Sequence, residues 1–320
     1  MTLTKIFVAS IFSAWLCAAV AHEDAARVEL DVDPALSTSE TDWRAWINGA
    51  RDAVASVGDG FPVAQVRVVL HPGSGRDPVS HGWVRRITPP EIHVKVNKNA
   101  DLEALVDDWH LYHEFAHLLL PFAGNRDIWF SEGMASYYQY FLQARAGVID
   151  ADEAWRRLVA GFQRGFDDPA GEGEQLVILS PEMWRKRAFR RVYWSGAAFF
   201  LRVDYRLRQA TGGEQSLDTT LASFAACCMR DGSERWSARA LVKRLGELSL
   251  PEIWTDEYAH VMQSQALPDF GIAASALGLS ANDQQVRLSA DPEARARRNA
   301  LALGLPLQDE ETSRDLQSSP

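Results

Sequence analysis

The sequence predicts an α+β fold in which strands come first and helices follow. Residues 26–32, 66–70 and 92–96 alternate apolar and polar side chains, as half-buried strands do. From residue 101 onwards, apolar residues recur at the spacing of amphipathic helices. Because strand runs give way to helix runs, we expect a mostly antiparallel upstream sheet followed by a helical subdomain.

The first residues have the features of a secretory signal peptide. Lys5 precedes an apolar run from Ile6 to Val20, and Ala19-Val20-Ala21 is a small-x-small cleavage site. The run is shorter than the roughly 20 residues of a membrane span. We expect a signal peptide over residues 1–21, cleavage after Ala21, and a secreted or periplasmic protein; an uncleaved anchor is the alternative.

An N-terminal sheet subdomain is expected over residues 22–100. Besides the three strands, the pattern predicts a helix over 39–57 and a further strand over 80–88. Pro72-Gly73-Ser74-Gly75 is typical of a turn or loop.

A helical catalytic subdomain is expected over residues 101–280. Its first long helix runs from Asp101 to Leu120 and is stopped by Pro121, and its second runs from Ser131 to Arg145. Further helices are predicted at 151–165, 193–210, 216–229, 236–247 and 252–264. Residues 281–320 form a C-terminal extension, with a polar, disordered tail from Gln308.

Composition and charge restrict the class of partner. A hydrophobic fraction of 47% is ample for a core, and the formal net charge is −10. An acidic chain of this kind argues against a nucleic acid or an anionic membrane as partner. After signal cleavage we expect no stable insertion into a membrane.

Two cysteines remain outside the signal segment, Cys227 and Cys228. Neighbouring cysteines do not readily form an ordinary disulfide, so we expect two small buried side chains in a helix. Two further soft ligands would be needed for zinc, and the sequence does not offer them.

The segment His113-Glu114-Phe115-Ala116-His117 is an HExxH motif. On a helix the two histidines lie one turn apart on the same face, where they can bind one zinc ion. Glu114 projects beside them and can deprotonate a metal-bound water. The alternative is a pair of core histidines with satisfied hydrogen bonds.

A third metal ligand must come from another segment, and Glu132 is well placed to supply it. Glutamate is also common at helix starts, where it stabilises the helix dipole, and Ser131 could be the cap of such a helix. His110 points to the Glu114 side of its helix. The other possible ligands lie upstream on strands or loops and are less favoured: His71, His81 and His93.

Tyr193 can supply a further catalytic group. A tetrahedral intermediate carries an oxyanion, and a phenol aimed at that oxygen stabilises the transition state. Tyr193 begins a predicted helix whose small residues allow close packing. Without other information, a tyrosine in an aromatic-rich helix usually belongs to the core or its rim.

These segments together resemble the gluzincin metallopeptidases. The stretches Trp129-x-Ser131-Glu132-Gly133-Met134-Ala135 and Tyr193-x-Ser195-Gly196-Ala197 are similar to the W-x-N-E-G-F-A and Y-x-K-G-A blocks of aminopeptidase N. The segments 193–218 and 267–279 are more similar to the glycyl aminopeptidase family. The resemblance implies a thermolysin-like catalytic subdomain, one Zn²⁺ per chain, and Tyr193 as the catalytic tyrosine.

Two departures from these families bear on specificity. Only 14 residues separate His117 from Glu132, which is shorter than in aminopeptidase N relatives. In addition, no G-x-M-E-N or G-G-L-E-H type segment, which holds the substrate amine in those families, precedes the active helix. The sequence therefore leaves exopeptidase and endopeptidase open, with Glu91 as a possible substitute for the amine-binding group.

Two more segments could contact a substrate. Arg185–Arg191 belongs to a basic run just before Tyr193; such runs are usually solvated, but one arginine could bind a substrate carboxylate. The predicted strand Gly82-Trp83-Val84 could pair with an extended peptide.

The sequence thus predicts an exported zinc metallopeptidase that hydrolyses peptide bonds of a peptide or protein through a zinc-activated water. The expected metal ligands are His113, His117 and Glu132, and the expected catalytic residues are Glu114 and Tyr193. The alternatives are a zinc hydrolase of non-peptide amides or esters, and a catalytically idle binding protein with a peptidase fold.

Overall fold

A computed structural model describes residues 27–229, 235–269, 271–282 and 285–306. The expected signal peptide and the polar tail from Gln308 lie outside the described residues. Within these ranges, no helix combines the length and the apolar character needed to cross a bilayer.

A four-stranded sheet is built from the first part of the chain. Its strands are β1 (Arg27–Val32), β2 (Gln65–Gly73), β3 (Val79–Arg85) and β4 (Glu91–Asn97). Their order in the sheet is β1-β2-β4-β3, so β3 is an edge strand.

The α+β class is confirmed, but the expectation of a mostly antiparallel sheet is wrong. β1 pairs with β2 in parallel, β2 pairs with β4 in parallel, and only β3 and β4 are antiparallel. The reason is the helix α1 (Glu40–Ala55), which carries the chain back so that β2 runs in the same direction as β1. Pro72 and Gly73, expected in a turn, still belong to β2 and lie opposite Val96 and Asn97.

The sheet has one apolar and one polar face. The face toward the helices is fully buried and aliphatic, with Val66, Val68, Leu70, Ile92, Val94 and Val96. The opposite face carries charged and aromatic residues of the alternate positions, among them Arg67, His71, Trp83, Glu91 and His93.

The remaining described residues are mainly helical. The elements are α2 (Leu102–Asp107), α3 (His110–Ala116), α4 (Ile128–Arg145), α5 (Ala151–Phe166), α6 (Leu176–Leu179), α7 (Met183–Lys186), α8 (Phe189–Ala210), α9 (Leu217–Cys228), α10 (Ala238–Glu247), α11 (Pro251–Gln263), α12 (Gly271–Ala276), β5 (Leu279–Asn282), β6 (Gln285–Leu288) and α13 (Pro292–Leu303). The short helices α6, α7 and α12, the longer helix α13 and the hairpin β5–β6 were not predicted.

The expected long helix from Asp101 to Leu120 is two short helices instead. Asp108 adopts an extended backbone with ψ 133° and ends α2. Its carboxylate then accepts a 2.8 Å hydrogen bond from the His110 amide, which starts α3. His117 is the C-cap of α3. The HExxH segment therefore occupies a compact helix of its own.

The helix that carries Glu132 begins earlier than expected, at Ile128. Ser131 is consequently not its cap. The Ser131 hydroxyl instead accepts a 3.3 Å hydrogen bond from the Ala123 amide, which fastens the preceding loop to α4. Glu132 lies inside the helix, where its direction is fixed by the helical backbone.

The helices α4 and α8 form the centre of the core. They cross at two glycines: a Cβ on Gly133 would lie 2.3 Å from the Gly196 Cα, and one on Gly196 would lie 2.1 Å from the Trp129 carbonyl oxygen. The two backbones thus touch, which no larger residue permits.

The C-terminal part of the described chain packs into the same core. Trp155 of α5 donates a 3.0 Å hydrogen bond to the carbonyl of Arg298 in α13, and Leu301 and Ala302 are core residues. The hairpin β5–β6 spans the expected boundary at residue 280. The predicted domain limits remain predictions.

The two cysteines differ from expectation. Cys227 and Cys228 are joined in a disulfide at the end of α9, and Cys227 is exposed. The sulfur atoms of both lie within 3.5 Å of the Arg244 guanidinium. The prediction of two unlinked buried side chains is therefore wrong: the pair lies where the helix ends and the chain reaches the surface.

Candidate metal and catalytic centre

Three side chains from α3 and α4 converge on one point. The Nε2 atoms of His113 and His117 lie 3.2 Å and 3.7 Å from the same Glu132 oxygen, Oε2. The ligand atoms of the three residues are all within 4.8 Å of one another. We call His113, His117 and Glu132 the metal group.

Gln139 orients one of these ligands. Its side-chain oxygen lies 2.9 Å from the Nδ1 atom of His113 and accepts a hydrogen bond from it, which leaves Nε2 free to bind a metal. Gln139 is buried on α4, two turns after Glu132 on the same helix face. Gln139 was not predicted from the sequence, although this spacing from Glu132 was a usable signal.

The electrostatics of the metal group suit a divalent cation. Burial lowers the pKa of His117 to about 3, so its imidazole is neutral, the form that binds a metal. Burial raises the pKa of Glu132, but the neighbouring His117 and His113 outweigh this effect, and its net pKa is lowered. The Nδ1 atom of His117 has no hydrogen-bond partner in the described part of the chain.

This donor set fits zinc. Catalytic zinc sites use three protein ligands from histidine and carboxylate and leave a further position open. Two imidazoles and one carboxylate are present here, buried or nearly so, with their ligand atoms directed at one point.

Glu114 lies directly against the edge strand of the sheet. A Cβ built on Gly82 would be 2.6 Å from the Glu114 Oε1 atom, so only glycine leaves room for this carboxylate. Burial raises the pKa of Glu114 to about 7, while His113 and Arg86 act in the opposite direction. Such a carboxyl can both take up and release a proton near neutral pH.

Tyr193 comes from α8 and completes the group of predicted residues. Its hydroxyl is hydrogen-bonded to the Glu132 carboxylate, and its ring lies nearly parallel to that of His113 with centroids 6.4 Å apart. Burial raises its pKa well above the usual value for a phenol, so it is a proton donor in its hydrogen bonds. The glycine crossing of α4 and α8 places Tyr193 beside Glu132.

The neighbouring Trp194 holds this part of α8 in place. Its side chain fills a slot over two glycines of α5, since a Cβ on Gly161 would lie 2.0 Å from the Trp194 ring and one on Gly165 would lie 2.5 Å from the Trp194 Cβ. Arg164 lies over the same ring at 5.3 Å. The orientation of α8, and so of Tyr193, is fixed from both sides.

Arg86 is a second residue near the metal group that was not predicted from the sequence. It directly follows β3, and its Nη1 atom donates to the carbonyl oxygens of His117 at 2.8 Å and Leu120 at 3.4 Å. Burial lowers its pKa to about 10, with Glu132 and Glu114 acting in the opposite direction, so it is a cation at neutral pH. No sequence pattern distinguishes it from Arg85.

Glu91, the possible amine-binding residue, is not part of this centre. It lies on the polar face of the sheet, 2.6 Å from Arg85 and 3.1 Å from the Nε2 atom of His93. Gly82, which touches Glu114, is on the other face. Glu91 therefore points away from the metal group.

The remaining histidines are also apart from the metal group. His71 and His93 are hydrogen-bonded to each other on the polar face, Nε2 to Nδ1 at 2.9 Å. His110 is bound to Asp108 at 2.8 Å and stacks on Trp109.

The basic run before Tyr193 is largely engaged in protein contacts. Arg185 pairs with Glu182, and Lys186 with Glu174. Arg191 is buried, bonds to the Ser195 hydroxyl, and donates a 3.1 Å hydrogen bond to the Ser264 carbonyl. These three residues have structural partners.

Comparisons with known proteins agree with this geometry. A family model described as M61 glycyl aminopeptidase matches residues 123–197, a segment that contains both Glu132 and Tyr193. The expected resemblance is confirmed. No curated protein sequence matches the chain significantly.

The fold has solved counterparts. An aminopeptidase N family protein from Idiomarina loihiensis superposes with a TM-score of 0.63 at 14% identity, over 83% of this chain and 51% of its own. An M1 zinc metallopeptidase from Deinococcus radiodurans gives a TM-score of 0.48 at 14% identity, over 74% of this chain and 47% of its own. The chain thus spans about half the length of these structures. The first match shows the shared peptidase-like fold.

Proposed function

We propose that this chain is an exported zinc metallopeptidase that hydrolyses peptide bonds. The observation that carries the proposal is the convergence of the His113, His117 and Glu132 ligand atoms, with Glu114 and Tyr193 beside them. The similarity to aminopeptidase families supports it. Export is supported by the Lys5 to Ala21 segment of the sequence.

The chain's own residues divide the chemistry between them. Zinc held by the metal group would polarise a carbonyl and make water more acidic. Glu114 is the group that takes the proton from the attacking water and delivers it to the leaving amine, because its buried carboxylate lies beside the metal group. Tyr193 donates its hydroxyl proton in a hydrogen bond to the oxyanion of the tetrahedral intermediate.

The sheet edge favours a peptide over a small amide or ester. β3 pairs with β4 on one side only, and among the described strands nothing covers its other side. An extended peptide that adds to this edge would run past Gly82 and hence past Glu114. A small amide or ester has no peptide backbone and would leave the backbone N–H and C=O groups on the free edge of β3 without partners.

The test is cleavage of a mixed peptide library by zinc-loaded protein, read by mass spectrometry, beside Glu114→Gln as a matched variant. We expect cleavage by the wild type, and retained zinc without cleavage in Glu114→Gln. A zinc-loaded wild type that cleaves no peptide but hydrolyses small esters or amides would refute the peptidase assignment. Mass spectrometry of the exported protein tests the leader: His22 is expected as the first residue.

A further inference from the structure

Arg86 extends from the edge strand into the region of the metal group. Side chains alternate along β3, so Arg85 points to the polar face, where it pairs with Glu91 at 2.6 Å. Arg86 goes to the other side and bonds the carbonyls of His117 and Leu120 at the end of α3. These carbonyls hold the guanidinium beside the residue that supplies a metal ligand.

Only part of this guanidinium is used by the protein. Both of these contacts are made by Nη1, and within the described ranges Nε and Nη2 have no hydrogen-bond acceptor. Arg86 is exposed over the residue as a whole, although neighbouring protein atoms crowd its guanidinium enough to lower its pKa. The planar guanidinium therefore presents free donors to solvent next to the metal group, in the fork arrangement that binds a carboxylate with two parallel hydrogen bonds.

The local charge also selects the ligand. Glu114 and Glu132 are the two carboxyl groups that interact electrostatically with Arg86. A zinc ion would offset both, and Arg86 then adds a further positive charge. The centre would then carry a net positive charge, which disfavours an ammonium group of a substrate and favours a carboxylate. The side chains around the guanidinium reinforce this, because Phe122 stacks under it at 5.7 Å and adds no charge.

We propose that Arg86 binds a carboxylate of the substrate and so makes the chain selective for peptides that carry an acidic group near the scissile bond. The carboxylate is either the C-terminus of a short peptide or an aspartate or glutamate side chain. The inference rests on the proposed peptidase function and names the substrate class of the same centre.

The experiment compares matched peptides on matched variants. The peptides are N-acetylated and share one cleavable sequence, with a free C-terminal carboxylate, with a C-terminal carboxamide, or with the carboxamide and an added internal glutamate. The variants are Arg86→Gln, Arg86→Lys and the neighbouring Arg85→Gln, which removes an equal charge from the other face of the sheet. Zinc content and melting temperature are measured for each.

We expect Arg86→Gln to lower kcat/KM for the preferred acidic peptide about 10- to 100-fold, which is the size of a lost hydrogen bond to a charged group. The carboxamide peptide should be cleaved at an unchanged rate, and Arg86→Lys should fall between. Arg85→Gln should behave as the wild type. The acidic peptide that responds, C-terminal or internal, identifies the source of the carboxylate.

Equal losses on the acidic and the uncharged peptide would overturn the proposal, because Arg86 would then only cap α3. A wild type that cleaves no peptide would instead refute the peptidase function. In that event a binding measurement by calorimetry decides about Arg86: zinc-loaded Glu114→Gln should bind the acetylated peptide acid more tightly than its amide, and the double variant with Arg86→Gln should not distinguish them. Equal affinity of Glu114→Gln for acid and amide would overturn the proposal.

Discussion

Two groups of identical composition, two histidines and a glutamate, lie on opposite sides of the sheet. In the metal group, His113, His117 and Glu132 direct their ligand atoms at one point. In the second group, which we call the sheet group, His71, His93 and Glu91 form a line. His93 uses Nδ1 toward His71 at 2.9 Å and Nε2 toward Glu91 at 3.1 Å.

The backbone explains the difference. Residues four apart on a helix project from one side and can meet at a shared atom, which is what His113 and His117 do at Glu132. Residues two apart on a strand project in parallel, so Glu91 and His93 lie side by side. Trp83 then stacks on the His93 ring at 4.8 Å and keeps it flat against the sheet.

A metal site therefore needs ligand atoms that point to one place as well as the right residue types. The ring nitrogens of His93 point in opposite directions and are both occupied, whereas each histidine of the metal group has Nε2 toward Glu132. The sheet group is a hydrogen-bond chain that links β2 to β4, and the ion pair of Glu91 with Arg85 extends it to β3. Substitutions in the two groups should have different consequences.

The largest difference is expected for loss of a histidine. His117→Ala removes one of three ligands, so the protein should lose both bound zinc and peptidase activity. His93→Ala should leave the zinc content at one per chain. Elemental analysis of protein purified without chelator measures both. A zinc content that survives His117→Ala would remove this residue from the metal group.

Substitutions of Glu114 and Glu91 should also differ in their effect on turnover. Glu114→Gln keeps the ligands but removes the base, so turnover should fall about 10²- to 10⁴-fold with zinc retained. Glu91→Gln, the matched change on the polar face, should keep near-normal turnover. The measurement is kcat on one peptide with zinc content determined for each variant. Normal kcat for Glu114→Gln contradicts its assigned role.

Tyr193→Phe should have the next largest effect. Removal of one oxyanion donor costs about 10² to 10³ in kcat, while KM and zinc content should change little. Tyr140→Phe provides a control on α4, where the hydroxyl lies 3.5 Å from Arg164 instead of at the metal group. If Tyr193→Phe turns over at full speed, the phenol is only a packing residue.

Gln139→Ala should weaken zinc binding without abolishing it. The His113 imidazole loses the acceptor that fixes its tautomer, and such changes cost about 10- to 100-fold in metal affinity. Gln143→Ala, one turn later, removes a hydrogen bond to the Asp107 carbonyl and should not alter zinc affinity. Competition with a zinc-binding dye gives the zinc dissociation constant of each variant. Equal affinities for the two variants would contradict the role of Gln139 in orienting His113.

The sheet group should show a small pH dependence of stability. The hydrogen bond from His93, with Arg85 and Arg67, lowers the pKa of Glu91 more than burial raises it. A depressed carboxyl pKa stabilises the fold at higher pH, and this contribution is lost as the pH falls below about 4.5. Urea unfolding of wild type and Glu91→Gln should therefore converge toward acid pH. If the free energies of unfolding of wild type and Glu91→Gln differ by the same amount from pH 7 to pH 3, this linkage is contradicted.

Features with a local period were predictable from the sequence. The alternation in β2 and β4, and the i, i+4 spacing of His113 and His117, each depend on one segment and follow directly from strand and helix geometry. Glu132 was predicted because a third ligand had to come from another segment and no further histidine was well placed.

Features that depend on two distant segments were not predictable. The parallel pairing of β1 with β2 depends on how α1 returns the chain. The break at Asp108 depends on one side chain competing with the helix for the His110 amide. Arg86 and Gly82 become functional candidates only when β3 lies against α3, since neither residue belongs to a pattern.

The contact between Gly133 and Gly196 has a mechanical consequence. Two helices whose backbones touch cannot slide past each other without separating, so α4 and α8 behave as one rigid wall that carries both Glu132 and Tyr193. A movement that opens the space beside the metal group is therefore expected in β3 and the loop that contains Arg86. We expect the amides of α4 and α8 to exchange with deuterium more slowly than those of β3.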